Sequence, residues 1–168
     1  TGMNAAADID VAEEARAGAS FGRETWRRVW ASRAARACLA VLAGKQFEMP
    51  VAFDQEYEAG ILALNNAQRT AICKAFLHTM EAAGYYAVFY ASTDWIKNRV
   101  NYAELAGFDM WPAQYGAKCT CPLPFGMWQH HGGGSKNWPA GSWAGVSGAV
   151  DLDTAYKNYP EIIKGAGL

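Results

Sequence analysis

Apolar and polar residues change period several times along the chain, and each change marks an element. Residues 10–43, DVAEEARAGASFGRETWRRVWASRAARACLAVLA, are rich in Ala, Arg and Glu and contain no Pro. That stretch predicts helix, with breaks near Gly18 or Gly22, where glycine weakens a helix. Asp10 is placed to cap it, with Glu13 three residues on in capping-box position. The run 49–53 is short and apolar, with Pro50 near its start and acids beyond its end, and predicts a buried strand ending in carboxylates. In NNAQRTAICKAFLHTMEAAG, Ile72, Phe76, Met80 and Ala83 recur at helical spacing beside Cys73 and Leu77. Asn65 or Asn66 caps that helix and Gly84 closes it. YYAVFYAS is aromatic and β-branched and predicts a strand, after which Ser92 or Thr93 opens a short helix over DWIKNRV. FDMWPAQYG, PFGMWQHH and GVSGAVDLD predict three more strands, and TAYKNYPEIIKGAGL a weak terminal helix or loop.

The order is therefore helix, strand, helix, strand, helix, strand, strand, strand. Early alternation predicts an α/β fold, a parallel sheet with helices packed outside it. The last three strands are joined by loops where crossover helices are expected. With 168 residues, no linker and no repeat, one domain over 1–168 is expected.

Charge and cysteine content remove several functions. Fifteen Lys+Arg against 16 Asp+Glu give a net charge of -1, which argues against a nucleic-acid grip. Arg27, Arg28, Arg33 and Arg36 read as a solvated helix face. No apolar run approaches the ~20 residues that span a bilayer, so no membrane partner is expected. The start, TGMNAAADID, lacks the basic and apolar regions of a secretory signal. Cys38 and Cys73 read as small buried hydrophobes. Cys119 and Cys121 form a C-x-C without a second pair, and His130–His131 lacks zinc-finger spacing, so no metal is expected. The Gly-rich stretch HHGGGSKNWPAGSWAG lacks the spacing of a phosphate cradle.

Aromatics make up 13% of the chain, and in its second half many stand beside Gly, Gln and Asp. Such neighbours suit rings that stack on sugars, whose ligands combine apolar faces with hydroxyls. Asp54 and Glu56 stand two apart at a strand end, so both side chains share a face, with ~7 Å between their Cα atoms. At the C-terminal end of a barrel strand that face opens into the active-site mouth. Two carboxyls there suit glycosidic cleavage, one protonated to donate to the leaving oxygen and one ionised to support the developing positive charge. An acidic surface turn, with Glu58 following, is the plainer alternative. Asp151 and Asp153 also share a face, and Asp153 is placed to cap the segment after it. Trp111, Gln114, Tyr115, Trp128 and Gln129 offer stacking planes and amides, although strand tryptophans are commonly core. His78 reads as partly exposed on its helix and the His130–His131 pair as a loop-rim feature.

In this order FEMPVAFDQE, AICKAFLHTMEAAGYYAVFYAS, FDMWPAQYG, GMWQHH and GAVDLD resemble the family 25 glycoside hydrolases, the muramidases or Chalaropsis-type lysozymes. The likeness runs from about residue 46 to residue 159. It implies an irregular (β/α) TIM-like barrel whose last three strands lack regular crossover helices. It implies hydrolysis of the β-1,4 bond between N-acetylmuramic acid and N-acetylglucosamine in peptidoglycan, without a cofactor, by a protein acting outside the cell or on its wall. Glu56 takes the place of the general acid, Asp54 that of the assisting carboxylate and Asp151 that of the acid on the last strand. Tyr90, Trp111, Gln114, Tyr115, Trp128 and Gln129 take places along the sugar groove. The family's opening strand, with its Asp-Ser, and its second strand have no counterpart. A barrel shortened at its N-terminus is therefore expected, with residues 1–45 a diverging helical segment and 46–159 the family-like core. Its uncovered edges predict self-association. A catalytically impaired glycan-binding remnant is the alternative.

Overall fold

The computed structural model describes residues 33–133 and 140–168. Asp10, Glu13, Gly18, Gly22, Arg27 and Arg28 and the side chains of Arg33 and Arg36 lie outside the described residues, as does 134–139 of the Gly-rich stretch. The chain divides into two units, Thr1–Ala43 and Gly44–Leu168. In the first, helix α1 (Arg33–Leu42) is the described part of the expected 10–43 helix.

The second unit is a mixed α/β fold around an open five-stranded sheet of order β1-β2-β3-β4-β5. The strands are β1 (Val51–Asp54), β2 (Ala87–Ser92), β3 (Asp109–Ala113), β4 (Met127–His131) and β5 (Leu152–Ala155). The first four run parallel, and β5 returns antiparallel to β4. The helices are α2 (Ala59–Leu62), α3 (Asn66–Ala82), α4 (Thr93–Asn98) and α5 (Tyr159–Ala166), with a 3-10 turn at Tyr102–Leu105. No helix connects β3 to β4, as expected for the later strands. No helix among the described residues is long and apolar enough to cross a membrane.

Local chemistry explains most boundaries. Asn65 caps α3 in a reciprocal box: its side chain accepts from Gln68 N at 2.9 Å, and Gln68 Oε1 accepts from Asn65 N at 3.0 Å. Gly84, just beyond the helix end, takes φ 85°, which disfavours a side chain. Ser92 opens α4 by accepting from Trp95 N at 3.1 Å.

Three expectations need correction. The first strand begins at Val51, not at residue 49, and is half-buried, because β2 is its one strand neighbour among the described residues. Met49 stays exposed. The last strand is Leu152–Ala155, not 145–153: Gly145 and Gly148 turn the chain at φ 82° and 94°, and Val150 makes only an isolated bridge to Gly141. Asp153 consequently lies within β5 and caps nothing.

Side-chain alternation gives the sheet two different faces. On one, Phe53 pairs in register with Phe89 and Phe89 with Met110, and Phe76 of α3 lies 4.7 Å from Phe53 between ring centroids. Cys73, Leu77 and Met80 of α3 are fully buried; Ile72 and Phe76 are half-buried and Ala83 is exposed. On the other face Val88 and Met127 pack with Tyr159 and Ile163 of α5, joined by Ala52, Tyr86 and Trp111. The expected weak tail is thus a docked helix. It is bound through Asp109, whose Oδ2 accepts from Tyr159 Oη at 2.8 Å, Lys157 Nζ at 2.9 Å and Tyr86 Oη at 3.2 Å. Because α5 covers the ends where the parallel strands begin, the same face stays open where they end.

Candidate active site

The open end is built by consecutive positions of the parallel strands. Asp54 on β1 is in register with Tyr90 on β2, and Tyr90 with Trp111 on β3. Ala113 pairs with Gln129 on β4, and Gln129 with Asp153 on β5. Alternation puts Asp54 and Glu56 on this face and turns Gln55 to the other. There Gln55 is buried and its Oε1 accepts from the Cys73 thiol at 3.4 Å. Burial pushes that thiol up to about 12, so Cys73 is a neutral core group.

Both acids of the pair are exposed at the strand end. Partial burial, then the neighbouring charges of Glu56 and Glu58, raises the Asp54 carboxyl above its ordinary value. Tyr90 is held well above the usual phenol range, first by burial and then by Tyr115, Asp54, Glu56 and Asp151. Tyr115 is raised by burial and then by Asp151, Glu56 and Asp153. Glu56 and Asp151 thus act on both phenols, Asp54 on Tyr90 and Asp153 on Tyr115.

Those phenols are held in place. Tyr90 Oη donates to Gln129 Oε1 at 2.9 Å and Tyr115 Oη donates to the same oxygen at 3.2 Å. Gln129 is buried, and its amide is oriented by the two donors. The Tyr115 ring also lies on Gly132, where a Cβ would overlap the ring carbons and hydroxyl. A cavity of about 230 Å³ opens beside Glu56, walled by Gln55, Tyr57, Tyr90, Ser92, Gln114 and Tyr115. Asp54, Trp111, Trp128, Gln129 and Asp151 stand outside it. A larger cavity of about 460 Å³ lies at the opposite end of the sheet, between Phe47, Tyr85, Tyr86 and Leu168, and its lining contains no carboxylate side chain.

The expected groove residues divide. Tyr90, Trp111, Tyr115 and Gln129 belong to this end of the sheet. Gln114 lines the cavity, but its Oε1 accepts from Thr120 N at 2.7 Å and Thr120 Oγ1 at 3.2 Å, so it also fastens the loop after β3. Trp128 alternates to the face opposite Gln129, where its Nε1 donates to the Gln114 carbonyl at 2.8 Å. His130 and His131 end β4 with their Nδ1 atoms 2.6 Å apart, and His78 is exposed beside Glu81 at 3.2 Å.

Two contacts had no sequence reading. Tyr57 Oη donates to Asp94 Oδ2 at 2.7 Å, and its ring meets Trp95 edge-on at 4.9 Å, which anchors the residue after Glu56. Trp111 Nε1 donates to Asp153 Oδ1 at 2.7 Å. The shared face of Asp151 and Asp153 signalled that Asp153 points to the site; nothing local signalled Tyr57. Among the described residues, no group of three His, Cys, Asp or Glu side chains could hold a metal ion.

The family model of the glycosyl hydrolases family 25 matches residues 20–137. No curated protein matches the chain. Among solved structures the chain is similar to the CTP1L endolysin, whose activity is regulated by a secondary translation product. The two share 25% identity at a TM-score of 0.57, over 78% of this chain. The chain spans 43% of that endolysin's length.

Proposed function

The chain belongs to the glycosyl hydrolases family 25, and from that premise we propose that it hydrolyses the β-1,4 bond between N-acetylmuramic acid and N-acetylglucosamine in peptidoglycan. The observation that carries this reading is the register of Asp54 with Tyr90 at the strand ends, beside the cavity that Glu56, Tyr90 and Tyr115 line together. Glu56 donates its proton to the glycosidic oxygen as the bond to the sugar breaks. Asp54, once ionised, supports the positive charge that develops on the ring, and water supplies the hydroxyl that completes hydrolysis. Asp151, just before the last strand, serves as the third acid, and Tyr90 and Tyr115, held by Gln129, form the wall that the sugars meet.

The finer architectural reading is an irregular (β/α) barrel. It rests on four parallel strands, a helix closing the ends where they begin, and acids at the ends where they finish, which is where barrel enzymes carry their chemistry. The substrate places the protein's action on the bacterial wall, outside the cell. Purified peptidoglycan digested with the protein and then reduced with borohydride tests the reading. The expected fragments carry reduced N-acetylmuramic acid at their new ends. Reduced N-acetylglucosamine there, or no new ends at all, contradicts it.

A further inference from the structure

The bond from Trp111 Nε1 to Asp153 Oδ1 joins β3 to β5 across the intervening β4. It passes over the cleft face of β4, where Gln129 is in register with Asp153. The same indole meets the Tyr90 ring edge-on, with centroids 5.1 Å apart and planes at 70°. It also packs against the cluster of Val88, Met127, Tyr159 and Ile163. One ring is thus fixed by a hydrogen bond, an aromatic edge and an apolar bed. An indole nitrogen can only donate, and this one already does. What remains for a ligand is the ring itself, a surface suited to the apolar face of a sugar.

We infer that Asp153 is a positioning residue for glycan binding: it holds the Trp111 ring as a stacking platform beside Tyr90, and acts through that ring. The inference rests on the proposed glycan cleavage. Burial raises the Asp153 carboxyl, the indole bond lowers it, Asp151 raises it and His130 lowers it. Once ionised, the carboxylate makes the bond charge-assisted.

A double-mutant cycle on soluble peptidoglycan fragments tests the role. Asp153→Ala is expected to raise KM about tenfold while kcat stays within about twofold. Asp153→Asn, whose amide oxygen still accepts, should restore KM. In a Trp111→Ala background, Asp153→Ala should add nothing further. An unchanged KM in Asp153→Ala, or its full effect without Trp111, overturns the inference.

Indole NMR supplies a readout independent of turnover. The Trp111 Nε1–H resonance is assigned by its loss in Trp111→Phe. It should exchange slowly in the parent protein and in Asp153→Asn, and should move upfield and exchange faster in Asp153→Ala. An unmoved resonance in Asp153→Ala overturns the inference whatever the activity. A resonance that behaves as expected in a protein that cleaves no peptidoglycan leaves the positioning contact standing and removes the proposed function instead.

Discussion

Asp54 carries a cost that follows from its place. Its carboxyl titrates above its ordinary value because it is partly buried with two acids close by. A group whose folded-state pKa is raised favours the fold while protonated, below its unfolded value. That contribution is lost as pH rises through the folded value. Asp54→Asn should therefore melt at a higher temperature than the parent protein at pH 7, with the difference gone well below the ordinary carboxyl range. Melting curves at both pH values check this, and equal melting temperatures at pH 7 contradict it. If Asp54 must be ionised for turnover, the rising limb of the rate–pH curve should also lie above the ordinary carboxyl range. The acid pair was legible because period-two alternation fixes which neighbours share a face. The partner of Asp153 was not legible, because Trp111 lies 42 residues away and the fold alone brings them together.

Helix α5 and its bed show what holds the closed end of the sheet. Asp109 accepts from two phenols and an ammonium, and Gly126 lies so close that a Cβ there would overlap Tyr159 Oη and crowd both Asp109 oxygens. Gly126→Ala should cost about 2–4 kcal/mol, combining overpacking with a broken buried hydrogen bond. Tyr159→Phe removes one donor and should cost about 1–2 kcal/mol. Urea denaturation checks both, and a Gly126→Ala protein as stable as its parent contradicts the packing described. At the front of α3, Asn65→Ala should cost about 1 kcal/mol by removing the cap. That cap was readable from Asn65 and Gln68 alone, since a capping box is local. The start of β5 was not: VSGAV has the residues of a strand, but Gly145 and Gly148 take left-handed turns that end the pairing. The tail's docking was not legible either, because it depends on Asp109, 50 residues earlier.

At the scale of the whole molecule, the two ends of the sheet differ. One end is closed by α5 and the Asp109 network, while the other carries Asp54 in register with Tyr90, and Glu56 beside Tyr90 and Tyr115 at the cavity. Among the described residues β1 has no strand on its outer side. If copies pair through that edge, the scattering mass should rise with concentration. A constant monomer mass contradicts pairing. The parallel α/β core was legible in the alternation of strand and helix patterns. The antiparallel return of β5 was not, because no periodic signal distinguishes a crossover from a reversal when the connection is a loop. Glu56 is the proposed proton donor at the open end. Its most direct test is the rate of reducing-end release from peptidoglycan by Glu56→Gln, with far-UV circular dichroism showing an unchanged fold. The expected rate is about 10²–10⁴-fold below that of the parent protein; release at the parent rate contradicts the role of Glu56.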